Sequence, residues 1–137
     1  MSAAAHPSAP NPGLQVFLGE EDEVLRGEIA RALRADGYAV VECADGATLF
    51  RELEQRLARP GARRSLVIAQ ARLPGLGAIP ILHSLRQLDI EVPVILLTRL
   101  NDPALPDLAR RAGASAVLIK PIAMDELRRA VASAGTG

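Results

Sequence analysis

Five short aliphatic runs, each followed by a stretch with helical periodicity, set the narrowest limit on what this chain can fold into. The runs are LQVFL (14–18), YAVVEC (38–43), SLVIA (65–69), VPVILL (92–97) and SAVLIK (115–120). After the first run, Leu25, Ile29, Ala32 and Leu33 share one helical face, and after the second Leu49, Phe50, Leu53 and Leu57 do the same. Ile79, Leu82 and Leu85 mark a third stripe, Leu105, Leu108 and Ala112 a fourth, and Leu127, Ala130, Val131 and Ala134 a fifth. Asp102 before Pro103 reads as an N-cap with a first-turn proline, and Gly37 and Gly113 sit where helices stop. Strands that are apolar on both faces and separated by amphipathic helices pack as a parallel sheet, covered on both sides by right-handed crossovers. The pattern therefore predicts an α/β protein, a five-fold βα sandwich of three layers.

A length of 137 residues with 49% hydrophobic content suits one domain with a substantial core. That domain spans 14–134. Residues 1–13, MSAAAHPSAPNPG, carry too little apolar surface to bury and read as a flexible tail, as do 135–137. Sixteen basic residues balance sixteen acidic ones, so no global field draws the chain to nucleic acid or an anionic membrane. Only Phe17, Tyr38 and Phe50 are aromatic, which leaves no platform for stacking bases. No apolar run approaches the roughly 20 residues a membrane helix needs. One cysteine, Cys43, forms no internal disulfide, and the first residues lack the pattern of a signal peptide, so the expected location is cytoplasmic.

In an open parallel sheet, ligands gather beyond the carboxyl ends of the strands. The first run delivers Glu20, Glu21 and Asp22 there, the third Gln70, the fourth Thr98 and the fifth Lys120 followed by Pro121. Carboxylates at such a rim suit a hard cation, and an ammonium with a hydroxyl suits phosphoryl oxygens. PGLGAIP has glycines but neither the spacing nor the lysine of a phosphate loop.

The segments GEEDEVLRGEIARALRADGY, IAQARLPG, VILLTRLND and AGASAVLIKPI, in this order, resemble the receiver domain of bacterial two-component response regulators. The resemblance covers nearly all of 14–134 and implies a flavodoxin-like (βα)5 fold with strand order 2-1-3-4-5. It also implies that Glu20 and Glu21 stand where an acidic pair binds Mg²⁺, and that Thr98 and Lys120 stand where the switch hydroxyl and phosphate-contacting lysine sit. The Lys120–Pro121 bond corresponds to one that is cis in such domains. The phosphoacceptor aspartate precedes the turn proline by four residues, which is Gln70 here. A further departure is Val117, at a position often held by an aromatic ring that rotates inward.

A glutamine amide is neutral and its oxygen is a feeble nucleophile, so Gln70 makes a poor phosphoacceptor. Its presence also removes a charge from the rim, and Mg²⁺ binding is expected to be weak or absent, with no resident cofactor or metal. Gln70 is expected to accept from Lys120 or Thr98 and to donate to Glu20 or Glu21. The reading is a degenerate receiver without enzymatic activity: a phosphorylation-independent protein–protein interaction module of signal transduction. The alternatives are a phosphorylatable receiver with a non-standard acceptor such as Asp22 or Glu21, and a small flavodoxin-like ligand binder. Receivers commonly dock through their fourth helix, fifth strand and fifth helix, which places Arg110, Arg111, Arg128 and Arg129 on the expected face. The expected partner is a histidine kinase, an output protein, another regulator or a second copy of the chain, with no direct nucleic-acid or membrane contact. Glu20–Glu23 also suit a charged helix start, His83 has no second ligand at metal spacing, and Cys43 reads as a small buried hydrophobe. Arginines 51, 56, 59, 63 and 64 form either a solvated face or a patch for an acidic partner.

Overall fold

The computed structural model describes residues 13–135. Five strands and five helices alternate: β1 (Gln15–Gly19), α1 (Glu23–Ala35), β2 (Ala39–Cys43), α2 (Gly46–Leu57) and β3 (Ser65–Gln70) come first. They are followed by α3 (Ala78–Gln87), β4 (Val94–Arg99), α4 (Leu105–Arg111), β5 (Ala116–Lys120) and α5 (Met124–Gly135). All strand pairs are parallel and the order is β2-β1-β3-β4-β5. The α/β sandwich expected from the aliphatic runs, with the flavodoxin-like strand order that the resemblance implies, is the architecture found.

Strand pleating sends alternate side chains to opposite faces of the sheet, and each face builds its own core. Val16 and Leu18 of β1 pack with Ile29 and Leu33 of α1 and with Leu127 and Val131 of α5. Phe17 of β1 packs on the other side with Leu49 and Leu53 of α2, Leu82 and Leu85 of α3, and Ala109 of α4. Burying one such Leu or Ile side chain contributes roughly 1.5–3 kcal/mol, so the two cores together outweigh any surface ion pair. The central strands β1 and β3 are buried along their whole length, whereas β2 and β5, at the two edges, are partly open.

Local chemistry sets most helix limits. Asp22 caps α1, accepting from the N–H groups of Val24 and Leu25, and Asp45 caps α2, accepting from Thr48 at 2.8 Å. Gly37 and Gly113 follow α1 and α4 with φ of 95°, the left-handed conformation a helix stop requires. Most strand limits shift by one residue from the sequence expectation, and three boundaries have an identifiable local setting. β4 begins at Val94, because Pro93 has no N–H to give to the ladder and contributes only its carbonyl, which accepts from Val67. α4 begins at Leu105 with Ala104 as its N-cap, not at Asp102, whose carboxylate is taken by Arg72. Leu105 and Ala112 face the core as expected, but Leu108 is 52% exposed and Ala109 takes its place on the buried stripe. α5 runs through Gly135, where a Cβ would press on Leu14 at 2.8 Å. Residues 1–12 and 136–137, the bulk of the two expected flexible ends, lie outside the described residues.

Candidate functional site

The carboxyl ends of β1, β3, β4 and β5 meet around a cavity of about 350 Å³. Its lining includes Glu21, Gln70, Thr98 and Lys120, all four singled out in the sequence, together with Arg72 and Arg99. The parallel register explains the convergence: Gln70 ends β3 opposite Leu97, and Lys120 ends β5 opposite Arg99.

Glu20 is fully buried immediately after β1. Its Oε2 accepts from the Asp22 backbone N–H at 3.0 Å, and its Oε1 faces the Lys120 ammonium at 2.9 Å without a second partner. A buried carboxylate is costly unless its charge is matched, and Lys120 supplies the match. Arg26 holds the same loop from the other side, donating to the Glu20 carbonyl at 2.8 Å while its guanidinium pairs with Glu42.

Gln70 is 7% exposed and both ends of its amide engage Glu21. Oε1 accepts from the Glu21 backbone N–H at 2.9 Å, and Nε2 donates to the Glu21 carboxylate at 2.7 Å. That pattern fixes the amide orientation, since an N–H needs an acceptor and a carboxylate needs a donor. The expected bonds from Lys120 or Thr98 to Gln70 are not formed. An ammonium gains more from a charged carboxylate than from a neutral amide oxygen, so Lys120 turns to Glu20. The buried Thr98 hydroxyl makes only a long 3.5 Å contact to the Arg99 carbonyl.

Two residues that sequence reasoning did not assign to the site border its mouth. Arg72, after β3, meets Asp102, after β4, with Nε at 3.0 Å and Nη2 at 2.9 Å from the same carboxylate oxygen. The available signal was positional: both follow strands that the parallel order makes neighbours. Val117 is half-buried on β5 and packs against the core beneath α4. The Lys120–Pro121 peptide bond is cis.

The arginines divide by partner. Arg111 pairs with Asp107 one turn earlier at 3.0 Å, whereas Arg110 and Arg129 form no ion pair among the described residues. Arg128 is held on α1: its guanidinium grips both oxygens of Asp36 at 2.9 and 2.6 Å, and Asp36 raises its pKa further. It is not a free cation of the outer face. Arg56 pairs with Glu52 along α2, and Arg63 donates to the Gly13 carbonyl, so part of the basic loop cluster is structural. Cys43 is buried at the end of β2, and burial pushes its thiol up to about 11. His83 is exposed on α3.

The donor set does not fit a magnesium ion. Such an ion prefers several charged oxygens with open positions, whereas here Glu20 is neutralised by Lys120 and Glu21 is tied to an amide. Among the described residues no group of three or more His, Cys, Asp or Glu is placed to hold a metal. Nor is any helix among them long and apolar enough to cross a membrane.

Comparison with known proteins agrees with the fold. Residues 16–132 match the family described as response regulator receiver domain. The chain is 33% identical over 144 residues to the sensor histidine kinase AruS of Pseudomonas aeruginosa, covering 99% of this chain and 13% of that protein. It is 31% identical to the transcriptional regulatory protein PdtaR of Mycobacterium tuberculosis, covering 85% of this chain and 54% of that one. Among solved structures, a receiver domain from Clostridium thermocellum superposes with a TM-score of 0.80 at 22% identity, over 90% of this chain and 94% of that one. Full-length FixJ of B. japonicum gives 0.77 at 25% identity, over 88% and 56%. With the match extending from β1 into α5, this chain belongs to the response regulator receiver domain family, the signalling modules of two-component systems.

Proposed function

We propose that this receiver domain signals without being phosphorylated and works as a protein–protein interaction module. The observation that carries the reading is the pair of hydrogen bonds between Gln70 and Glu21. An acyl phosphate forms when a carboxylate oxygen attacks phosphorus, and Gln70 presents a delocalised neutral amide whose oxygen is already occupied. The second support is Lys120, which is engaged with Glu20 and neutralises a carboxylate that a metal would need. Mg²⁺ binding is accordingly weak or absent. Val117 adds to the case, because a β-branched side chain has no ring to rotate between two states.

Docking then rests on the shape and charge of the surface. The outer face of α4, β5 and α5 offers Arg110, Arg111 and Arg129 beside the exposed Leu108 and Ile119, a mixture suited to an interface. The partner is another signalling protein in the cytoplasm, either a histidine kinase, an output protein or a regulator, or a second copy of this chain.

Intact mass after incubation with acetyl phosphate and Mg²⁺ tests the reading. The expected result is no added phosphoryl group on the native chain. One stable added group, on Glu21, Asp22 or any other acid, overturns it.

A further inference from the structure

We propose that copies of this chain dock head to tail, the basic α4–β5 edge of one against the acidic start of α1 of the next. The proposal rests on the reading that the α4–β5 side is the docking surface, and it names the occupant.

Large apolar side chains standing in solvent are few in this protein, and three of them share one edge. Leu100 precedes α4, Leu108 lies on α4 and Ile119 lies on the edge strand β5; they are 79, 52 and 42% exposed. Cations flank them: Arg99 and Arg110 are exposed and form no ion pair among the described residues. A second exposed apolar side chain sits in the opposite electrostatic setting. Val24, 73% exposed, lies in the first turn of α1 just after Glu23 and the acidic loop, with Glu28 one turn on. Neither Glu23 nor Glu28 has an ion-pair partner among the described residues. Asp107 and Asp102 on the basic side are matched by Arg111 and Arg72, and Arg26 on the acidic side by Glu42, so each surface has exposed apolar side chains in a setting whose charge balance has one sign, and the two signs are opposite. Such complementarity steers and orients association.

The acidic surface is also held in shape before any contact is made. Gln70 fixes the backbone and carboxylate of Glu21, and Asp22 is fixed as the cap of α1. Rigid presentation lowers the ordering cost of docking, which gives the amide at position 70 a use in recognition. A formal net charge of zero means that copies do not repel one another globally.

The geometry excludes one copy satisfying itself and favours a head-to-tail contact. α1 packs on the face of the sheet that carries α5, while Ala109 of α4 packs into the core on the opposite face. Two unlike surfaces on opposite faces make a heterologous contact, which extends into chains or closes into rings.

Sedimentation velocity of the full chain, over a range of concentration and salt, tests this. The expected result is concentration-dependent growth beyond the dimer that recedes as salt screens the rims. Arg110→Glu and Glu28→Arg each weaken association on the order of tenfold, with unchanged far-ultraviolet circular dichroism. Mixing the two variants in equal amounts restores association, because every head-to-tail contact between unlike variants again joins opposite charges at positions 110 and 28. A symmetric contact gives no recovery on mixing, and that result overturns the proposal. So does a native chain that stays monomeric throughout. If it stays monomeric while accepting no phosphoryl group, the self-contact fails and the phosphorylation-independent reading stands.

Discussion

Gln70 grips Glu21 at two points, taking its backbone N–H at 2.9 Å and giving an N–H to its carboxylate at 2.7 Å. Because β3 ends at Gln70 and the loop after β1 contains Glu21, these two bonds lock the centre of the sheet to the start of α1. No single-charge side chain of similar size makes both: a carboxylate supplies only acceptors and an ammonium only donors.

Gln70→Glu should therefore lose the donor and set two carboxylates face to face. The expected cost is roughly 1–3 kcal/mol of unfolding free energy at neutral pH, read by urea denaturation. Mutual repulsion raises the pKa of the pair in the folded variant, so the loss should shrink as pH falls and one acid is protonated. A variant as stable as the native chain at pH 7 would show that this pair of hydrogen bonds contributes nothing to stability.

Lys120→Met leaves the buried Glu20 carboxylate with only the Asp22 N–H. Breaking a buried pair in this way costs about 3–5 kcal/mol, and Glu20→Gln in the same chain should restore most of it by removing the orphan charge. Both comparisons are made by denaturant midpoint at constant slope. Failure of the second substitution to recover stability would show that Lys120 acts through packing of its stem.

The Arg128–Asp36 clasp ties α5 to α1, so Arg128→Glu should lower the thermal midpoint while Arg129→Glu, one residue on, leaves it unmoved. Reversal places like charges at a 2.6 Å contact, whereas Arg129 has no ion-pair partner among the described residues to lose. Equal midpoints for the two variants would place the clasp among surface pairs of no measurable consequence.

These relationships were unevenly legible in the sequence. The strands could be read because β1, β3 and most of β4 are buried on both faces, which requires unbroken aliphatic runs, and their ends located Glu20, Gln70, Thr98 and Lys120. Which of these groups bond was not legible, since Lys120 had both Gln70 and Glu20 within reach and charge decided between them. α4 was the element misread. It has seven residues, a proline in its first turn and a capping aspartate diverted by Arg72, thirty residues earlier in the chain, so no local pattern marks its start. Leu108 turns outward because Leu105, Ala109 and Ala112, spaced i, i+4 and i+7, make the inward stripe of the helix.

Gly46, the first residue of α2, carries a constraint that its exposed neighbours hide. A Cβ there would lie 1.8 Å from the Leu76 carbonyl oxygen, and the Gly46 N–H donates to the Pro74 carbonyl at 2.9 Å. Gly46→Ala must push the turn after β3 away from α2, at an expected cost of about 1–3 kcal/mol, with amide shifts spreading through residues 74–77 in a heteronuclear spectrum. Ala47→Gly, on the exposed neighbour, serves as the control and should leave those amides in place.

Cys43 offers a prediction in alkali. Its thiol is buried among Phe17, Leu49 and Leu53, and burial, then the negative charges of Glu52 and Asp45, raise its pKa from 9.0 to about 11. A thiol that must stay neutral binds its proton more tightly in the folded than in the unfolded chain. Its contribution is therefore complete below the unfolded pKa and is lost as pH climbs from about 9 toward 11. Cys43→Ala should flatten that part of the stability profile, although it lowers the plateau by leaving a small cavity. The native thiol should also resist Ellman's reagent at pH 8 and react only on addition of denaturant, since the reactive thiolate is suppressed by the same burial. Immediate reaction of the folded chain would place the sulfur at the surface and sink the prediction.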